Sequence, residues 1–111
     1  MPGTILSTIG NTPTVEIESL SRLLGRKIYG KCEFFNPGGS VKDRPALRMI
    51  EEAEKQGLLK KGDTLVEGTG GNTGVALSMV AAAKGYKSIM AMPASIAKEK
   101  VDAMKIYGAE V

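Results

Sequence analysis

The stretch TLVEGTGGNTGVALSMVAAAKGYKSIMAM, residues 64–92, decides the fold. It opens with the short apolar run 64–66, crosses a glycine-rich turn at 67–74, and continues as an apolar segment, 75–84, closed by Gly85. A second β-favouring run, 88–92, follows. Short apolar runs bounded by turn residues read as strands, and the longer segment of alanine, leucine, methionine and valine reads as a buried helix. Strand, single helix and strand form a βαβ unit, which implies a parallel sheet.

The same cycle extends to both sides. Upstream, residues 14–17 read as a short strand and 27–35 as a longer one, with Gly25 and Gly30 bracketing its start. The turn formers Asn36, Pro37, Gly38 and Gly39 come next, and then Ala46, Leu47, Met49, Ile50 and Ala53 recur at helical spacing until Gly57. Ser40 is the expected N-cap of that helix, with Asp43 as the acidic partner of a capping box. Downstream, Pro93 opens a turn, residues 97–107 carry Val101, Met104 and Ile106 at helical spacing, and Gly108 stops them. Glu110 and Val111 look like the start of another strand, so the expectation is a chain that stops in mid-unit. The predicted class is α/β, a Rossmann-like parallel sheet of βα repeats, with no linker and no low-complexity segment.

Composition narrows the chemistry. The chain has 111 residues, the size of one domain or of a piece of a larger protein, and its 42% apolar and 24% charged residues describe an ordinary globular chain. A net charge of +3, well interspersed, is too weak to indicate nucleic acid. Residues 1–9 show no basic leader followed by an apolar stretch, and no run reaches membrane-spanning length, so a cytoplasmic location is expected. With no histidine and a single cysteine, Cys32, the chain cannot build a Ser-His-Asp or Cys-His site, a His-containing zinc site or an internal disulfide. No metal site is expected, and covalent catalysis is left to lysine, a hydroxyl, a carboxylate or the one thiol. Cys32 itself, and Met79, Met90, Met92 and Met104, read as core-filling residues.

In α/β folds ligands gather where strands run into helices and free N–H groups point outward. Two such turns are unusual. The first, 36–44, puts Lys42 beside the first turn of a helix, where the positive helix end disfavours an ammonium and so favours a neutral, nucleophilic amine. A solvated surface lysine is the competing reading. The second, 67–74, sets four glycines among Thr69, Asn72 and Thr73, and reads equally as an anion cradle or as a tight structural turn. It is not a dinucleotide fingerprint, because Gly74 comes one position late, and no P-loop is present. Lys98, Glu99 and Lys100 read as a solvated helix face, and Asp43 and Arg44 as residues that pair with each other or cap the helix.

Residues 9–13 (IGNTP), 36–44 (NPGGSVKDR) and 68–74 (GTGGNTG), together with the closing Gly108, Ala109 and Glu110, resemble the cysteine synthase and cystathionine β-synthase family of pyridoxal-phosphate (PLP) enzymes, fold type II. Three motifs in order carry the resemblance through the whole chain. It implies that Lys42 forms the Schiff base with PLP and moves the substrate α-proton. Asn72 bonds the 3′-oxygen of the cofactor, and Thr69, Gly70, Gly71, Asn72 and Thr73 bind the substrate carboxylate. The implied reaction is β-replacement on an activated serine, O-acetylserine plus sulfide giving cysteine, in a homodimer. Cystathionine β-synthase and other β-substituted alanine synthases are the alternatives within the family, and a catalytically incompetent binding module is the alternative outside enzymology.

By the same resemblance the chain is the N-terminal region of such an enzyme. Residues 1–40 supply lead-in strands of the larger domain and 41–111 the βα units of the smaller one. The glycine- and threonine-rich phosphate cup and the serine facing the pyridine nitrogen would then lie beyond Val111, and the 111 residues alone are expected to hold PLP weakly. Two departures stand out: Thr14 where the family usually has leucine, and Gly71 where many members have serine.

Overall fold

The computed structural model describes residues 3–111; Met1 and Pro2, which open the segment read above for a leader, lie outside the described residues. A 3₁₀ turn at Ile5–Thr8 leads into strand β1 (Thr14–Glu16), helix α1 (Glu18–Leu24) and strand β2 (Tyr29–Lys31). After a second 3₁₀ turn, Glu33–Phe35, the chain alternates regularly: helix α2 (Asp43–Lys55), strand β3 (Thr64–Gly68), helix α3 (Asn72–Lys84), strand β4 (Lys87–Ala91) and helix α4 (Lys98–Ile106).

The βαβ unit expected from residues 64–92 is present. β3 and β4 pair in parallel, with Thr64 opposite Lys87 and Gly68 opposite Ala91. Glu110 extends the sheet beyond β4: its carbonyl accepts from Met90 N–H at 2.8 Å and its own N–H donates to the Ser88 carbonyl at 2.9 Å. Helix α3 packs against α2, α4 and the sheet together, and its residues 74–81 are all buried. A helix enclosed on every side must be apolar all round, which is why it shows so little polar periodicity in sequence. Met90 and Met104 fill the space around it, with its own Met79 and Val80 buried and Met92 half-buried.

The N-terminal part departs from the sequence reading in three ways. The strand expected over 27–35 is only three residues long. Cys32 still donates to the Pro13 carbonyl at 2.8 Å, but Pro13 has no N–H to return, so the ladder ends there and the chain turns into the 3₁₀ segment. β2 also lies outside the parallel sheet, pairing antiparallel with β1 in a sheet of its own. Helix α1 has no counterpart in the sequence reading; Gly25, one of the two glycines bracketing the start of the expected 27–35 strand, is its left-handed C-cap, with φ of 64°.

Among the described residues the buried apolar side chains, Cys32 excepted, all lie from Ala46 onward. The radius of gyration, 16.5 Å, exceeds the ~13 Å of a compact domain of this length. The β1–α1–β2 segment therefore contributes no buried apolar side chain to the core. Among the described residues no helix is long and apolar enough to cross a membrane.

Candidate functional site

Lys42 and Asn72 occupy matching places at the starts of α2 and α3. Lys42 is the residue before the first turn of α2, and its side chain is exposed. The capping box expected there does not form. Ser40 sits outside the helix, where its hydroxyl accepts from Lys42 N–H at 3.2 Å. The Asp43 carboxylate accepts from Gly38 N–H rather than reaching Ser40, so it closes the loop 38–43 that contains Lys42. Asp43 is fully buried, and its Oδ1 has no partner among the described residues. Burial pushes its pKa up from the usual aspartate value, against the pull of the Gly38 N–H.

Arg44 does not pair with Asp43. Its Nε donates to Glu33 Oε1 at 2.8 Å and its Nη2 to Glu33 Oε2 at 3.2 Å, a two-pronged grip on one carboxylate. Arg44 Nη2 also donates to Thr12 Oγ1, and the Thr12 hydroxyl to Glu33 Oε2, both at 3.0 Å. Asn36 joins from below, Nδ2 donating to Glu33 Oε1 at 3.0 Å and Oδ1 accepting from Gly10 N–H at 2.8 Å. The Arg44 guanidinium, helped by Asn36 and Thr12, holds the Glu33 carboxyl down to about 2. Segments 10–12 and 33–44 are thereby tied into one frame around the lysine turn. Glu33 escaped the sequence reading because it was counted within a strand.

The second turn is built from its own backbone. Thr69 is buried and continues the sheet past Gly68, donating its N–H to the Ala91 carbonyl at 2.9 Å. Its Oγ1 accepts from Gly71 N–H at 3.2 Å and Gly74 N–H at 2.9 Å. Those two N–H groups are therefore committed inside the loop, so of the residues 69–73 expected to bind a carboxylate Gly71 has its N–H already engaged by Thr69. Among the described residues the N–H groups of Gly70, Asn72 and Thr73 have no acceptor. They stand at the positive end of α3, the arrangement that takes an anionic oxygen. Nothing lies within 4 Å of where a Cβ would sit on Gly68 or Gly70, which leaves the approach to them clear.

Gly71 has φ of 143° and ψ of −86°, a conformation suited to glycine and strained for serine. This loop path thus depends on the departure from the family pattern noted above. Lys100, expected on a solvated helix face, instead lies over the turn with its Nζ 2.6 Å from Asn72 Oδ1. Among the described residues no group of carboxylate, cysteine or histidine side chains has the arrangement of a metal site.

A family model described as pyridoxal-phosphate dependent enzyme matches residues 5–111. Cystathionine beta-synthase from Rattus norvegicus is 55% identical over 109 residues, covering 96% of this chain and 19% of the relative. Cysteine synthase from Dictyostelium discoideum is 52% identical over 106 residues, 96% of this chain and 28% of the relative. Among solved structures, a hydrogen sulfide-producing enzyme from Fusobacterium nucleatum superposes with a TM-score of 0.95 at 46% identity, over 100% of this chain and 37% of that one. The chain thus spans between about a fifth and two fifths of the length of these relatives.

Proposed function

We propose, from the premise that this chain belongs to the family of pyridoxal-phosphate dependent enzymes, that its two strand-to-helix turns form the lysine and substrate sides of a β-replacement site. The observation that carries this reading is the set of free N–H groups on Gly70, Asn72 and Thr73 at the start of α3, in the same α/β unit that presents Lys42 at the start of α2. An amine, a side-chain amide and an anion-binding helix end suit a cofactor with an aldehyde and a phenolic oxygen and a substrate with a carboxylate. The cofactor, when bound, supplies the electron sink.

The chain's own residues divide the remaining work. Lys42 would hold the cofactor through its amine and, as a free amine, would take and return the substrate α-proton. Asn72 donates to the 3′-oxygen. The unpaired N–H groups of the turn, with Thr73, hold the substrate carboxylate, and Thr69 shapes the turn from within. Residues 1–40 belong to the larger domain of the assembled enzyme and 41–111 to the smaller. The substrates proposed are O-acetylserine and sulfide, giving cysteine in the cytoplasm, with a homodimer as the working unit. The resemblance to cystathionine beta-synthase favours a second reading, serine with a larger thiol as nucleophile.

The test is borohydride reduction of the full-length protein after addition of PLP, followed by peptide mapping. A stable adduct on Lys42, lost in Lys42→Ala, is expected. An adduct on another lysine, or none, overturns the assignment. Cysteine formed from O-acetylserine and sulfide separates the first reading from the second, which instead requires condensation of serine with homocysteine.

A further inference from the structure

Lys100 lies 28 positions from Asn72 in sequence, yet its ammonium meets Asn72 Oδ1 at 2.6 Å. Its stem crosses the turn at Gly71, where Cγ lies 3.9 Å from the position a Cβ would take, an ordinary packing distance. Among the described residues no carboxylate lies within ion-pairing distance of Lys100, whereas Lys98, on the same helix, pairs with Asp102 at 2.6 Å. The charge of Lys100 is spent on a neutral amide.

An asparagine amide has one accepting end and one donating end, and an ammonium can only donate. A cation beside the amide therefore fixes its orientation, since turning it over would set NH₂ against NH₃⁺. We infer that Lys100 is a positioning residue: by holding Asn72 Oδ1 it keeps Nδ2 turned the other way as a committed donor to an anionic oxygen. The inference rests on the reading of Asn72 as the partner of the cofactor 3′-oxygen. It adds that the donor is pre-set by α4 before any ligand arrives, so the oxygen meets an amide that need not reorient.

Two readouts test it, in the full-length protein with Lys100→Met and Lys100→Arg. In the cofactor-free protein, the Asn72 side-chain amide signals in an ¹⁵N–¹H spectrum are expected to move in Lys100→Met and to return toward wild type in Lys100→Arg. In the loaded protein, the PLP dissociation constant is expected to rise about tenfold in Lys100→Met, the size of one lost hydrogen bond to a charged group, with the cofactor absorption band displaced. Arginine is expected to restore most of both. Unchanged amide signals in Lys100→Met overturn the inference, as does a loss that arginine fails to rescue in a variant with wild-type thermal unfolding. If wild type forms no Lys42 adduct, the proposed function fails, while the amide signals of the cofactor-free protein still decide the role of Lys100.

Discussion

The turns that open α2 and α3 do the same architectural job by opposite means. Around Lys42 the frame is ionic and long-range: Glu33, Arg44, Thr12 and Asn36 converge from three segments, and buried Asp43 ties Gly38. Around Asn72 the backbone frame is uncharged and local, with Lys100 the one charge reaching in from α4: one threonine hydroxyl serves two N–H groups, and glycine supplies a backbone path closed to other residues. The first turn should thus respond to proton concentration and the second to volume. On the proposed function, a lysine that shifts between cofactor and proton can tolerate a frame fixed at a distance, whereas a cradle for a carboxylate needs its N–H groups set to within fractions of an ångström.

The largest effect is expected from volume at the second turn. A Cβ on Gly74 would lie 2.6 Å from Thr69 Cγ2 and 2.9 Å from Met104 Sδ, and Met104 is fully buried. Gly74→Ala should cost about 3 kcal/mol, the upper part of the range for overpacking a core. Urea unfolding measures it, and a loss below 1 kcal/mol would mean that the turn yields more easily than the comparison holds.

Next comes the hydroxyl. Thr69→Val keeps the shape and leaves two N–H groups without their acceptor inside a buried turn, an expected loss of about 2 kcal/mol. Thr69→Ser keeps the oxygen and should lose less than half of that. Equal losses in the two variants would assign the stability to the methyl group and remove the hydroxyl from the account.

Much of this arrangement was legible in the sequence because it is local. The run 64–92 carries strand, turn and helix in unbroken order, and the glycines at 85 and 108 mark helix ends at positive φ of 82° and 88°. What was not legible depends on contacts between distant segments or on missing periodicity. Helix α1 is seven residues long, with Leu23 and Leu24 largely exposed and no side-chain cap at its start, so its leucines trace no core-facing stripe. The shortening of β2 depends on what Pro13 lacks, which shows only once the two strands are set side by side. Glu33 with Arg44, and Lys100 with Asn72, are partners 11 and 28 residues apart, beyond any local pattern. The φ of Gly71 is likewise invisible in sequence, although its place in a run of glycines marked the turn as one where such a path was affordable.

The smallest effect is the pH dependence of the first turn, and it is the one that separates the two frames most cleanly. Glu33 falls from an ordinary 4.5 to about 2 in the folded chain, chiefly through Arg44. A depressed carboxyl contributes stability that is present in full above the unfolded value and is lost as pH falls from 4.5 towards 2. Asp43 is shifted upward by burial, so its contribution runs the other way: folding gains as pH falls through its raised value towards the ordinary 3.8. Arg44→Met should flatten the acid loss of urea midpoint, because it removes the main cause of the Glu33 shift. Asp43→Asn should steepen that loss by removing the opposing gain. Thr69→Val should lower the whole curve without changing its shape, since its frame carries no carboxylate. An Arg44→Met profile that keeps the wild-type slope between pH 4.5 and 2 would show that the lysine turn is not ionically framed, and the contrast between the two turns would collapse to one of volume alone.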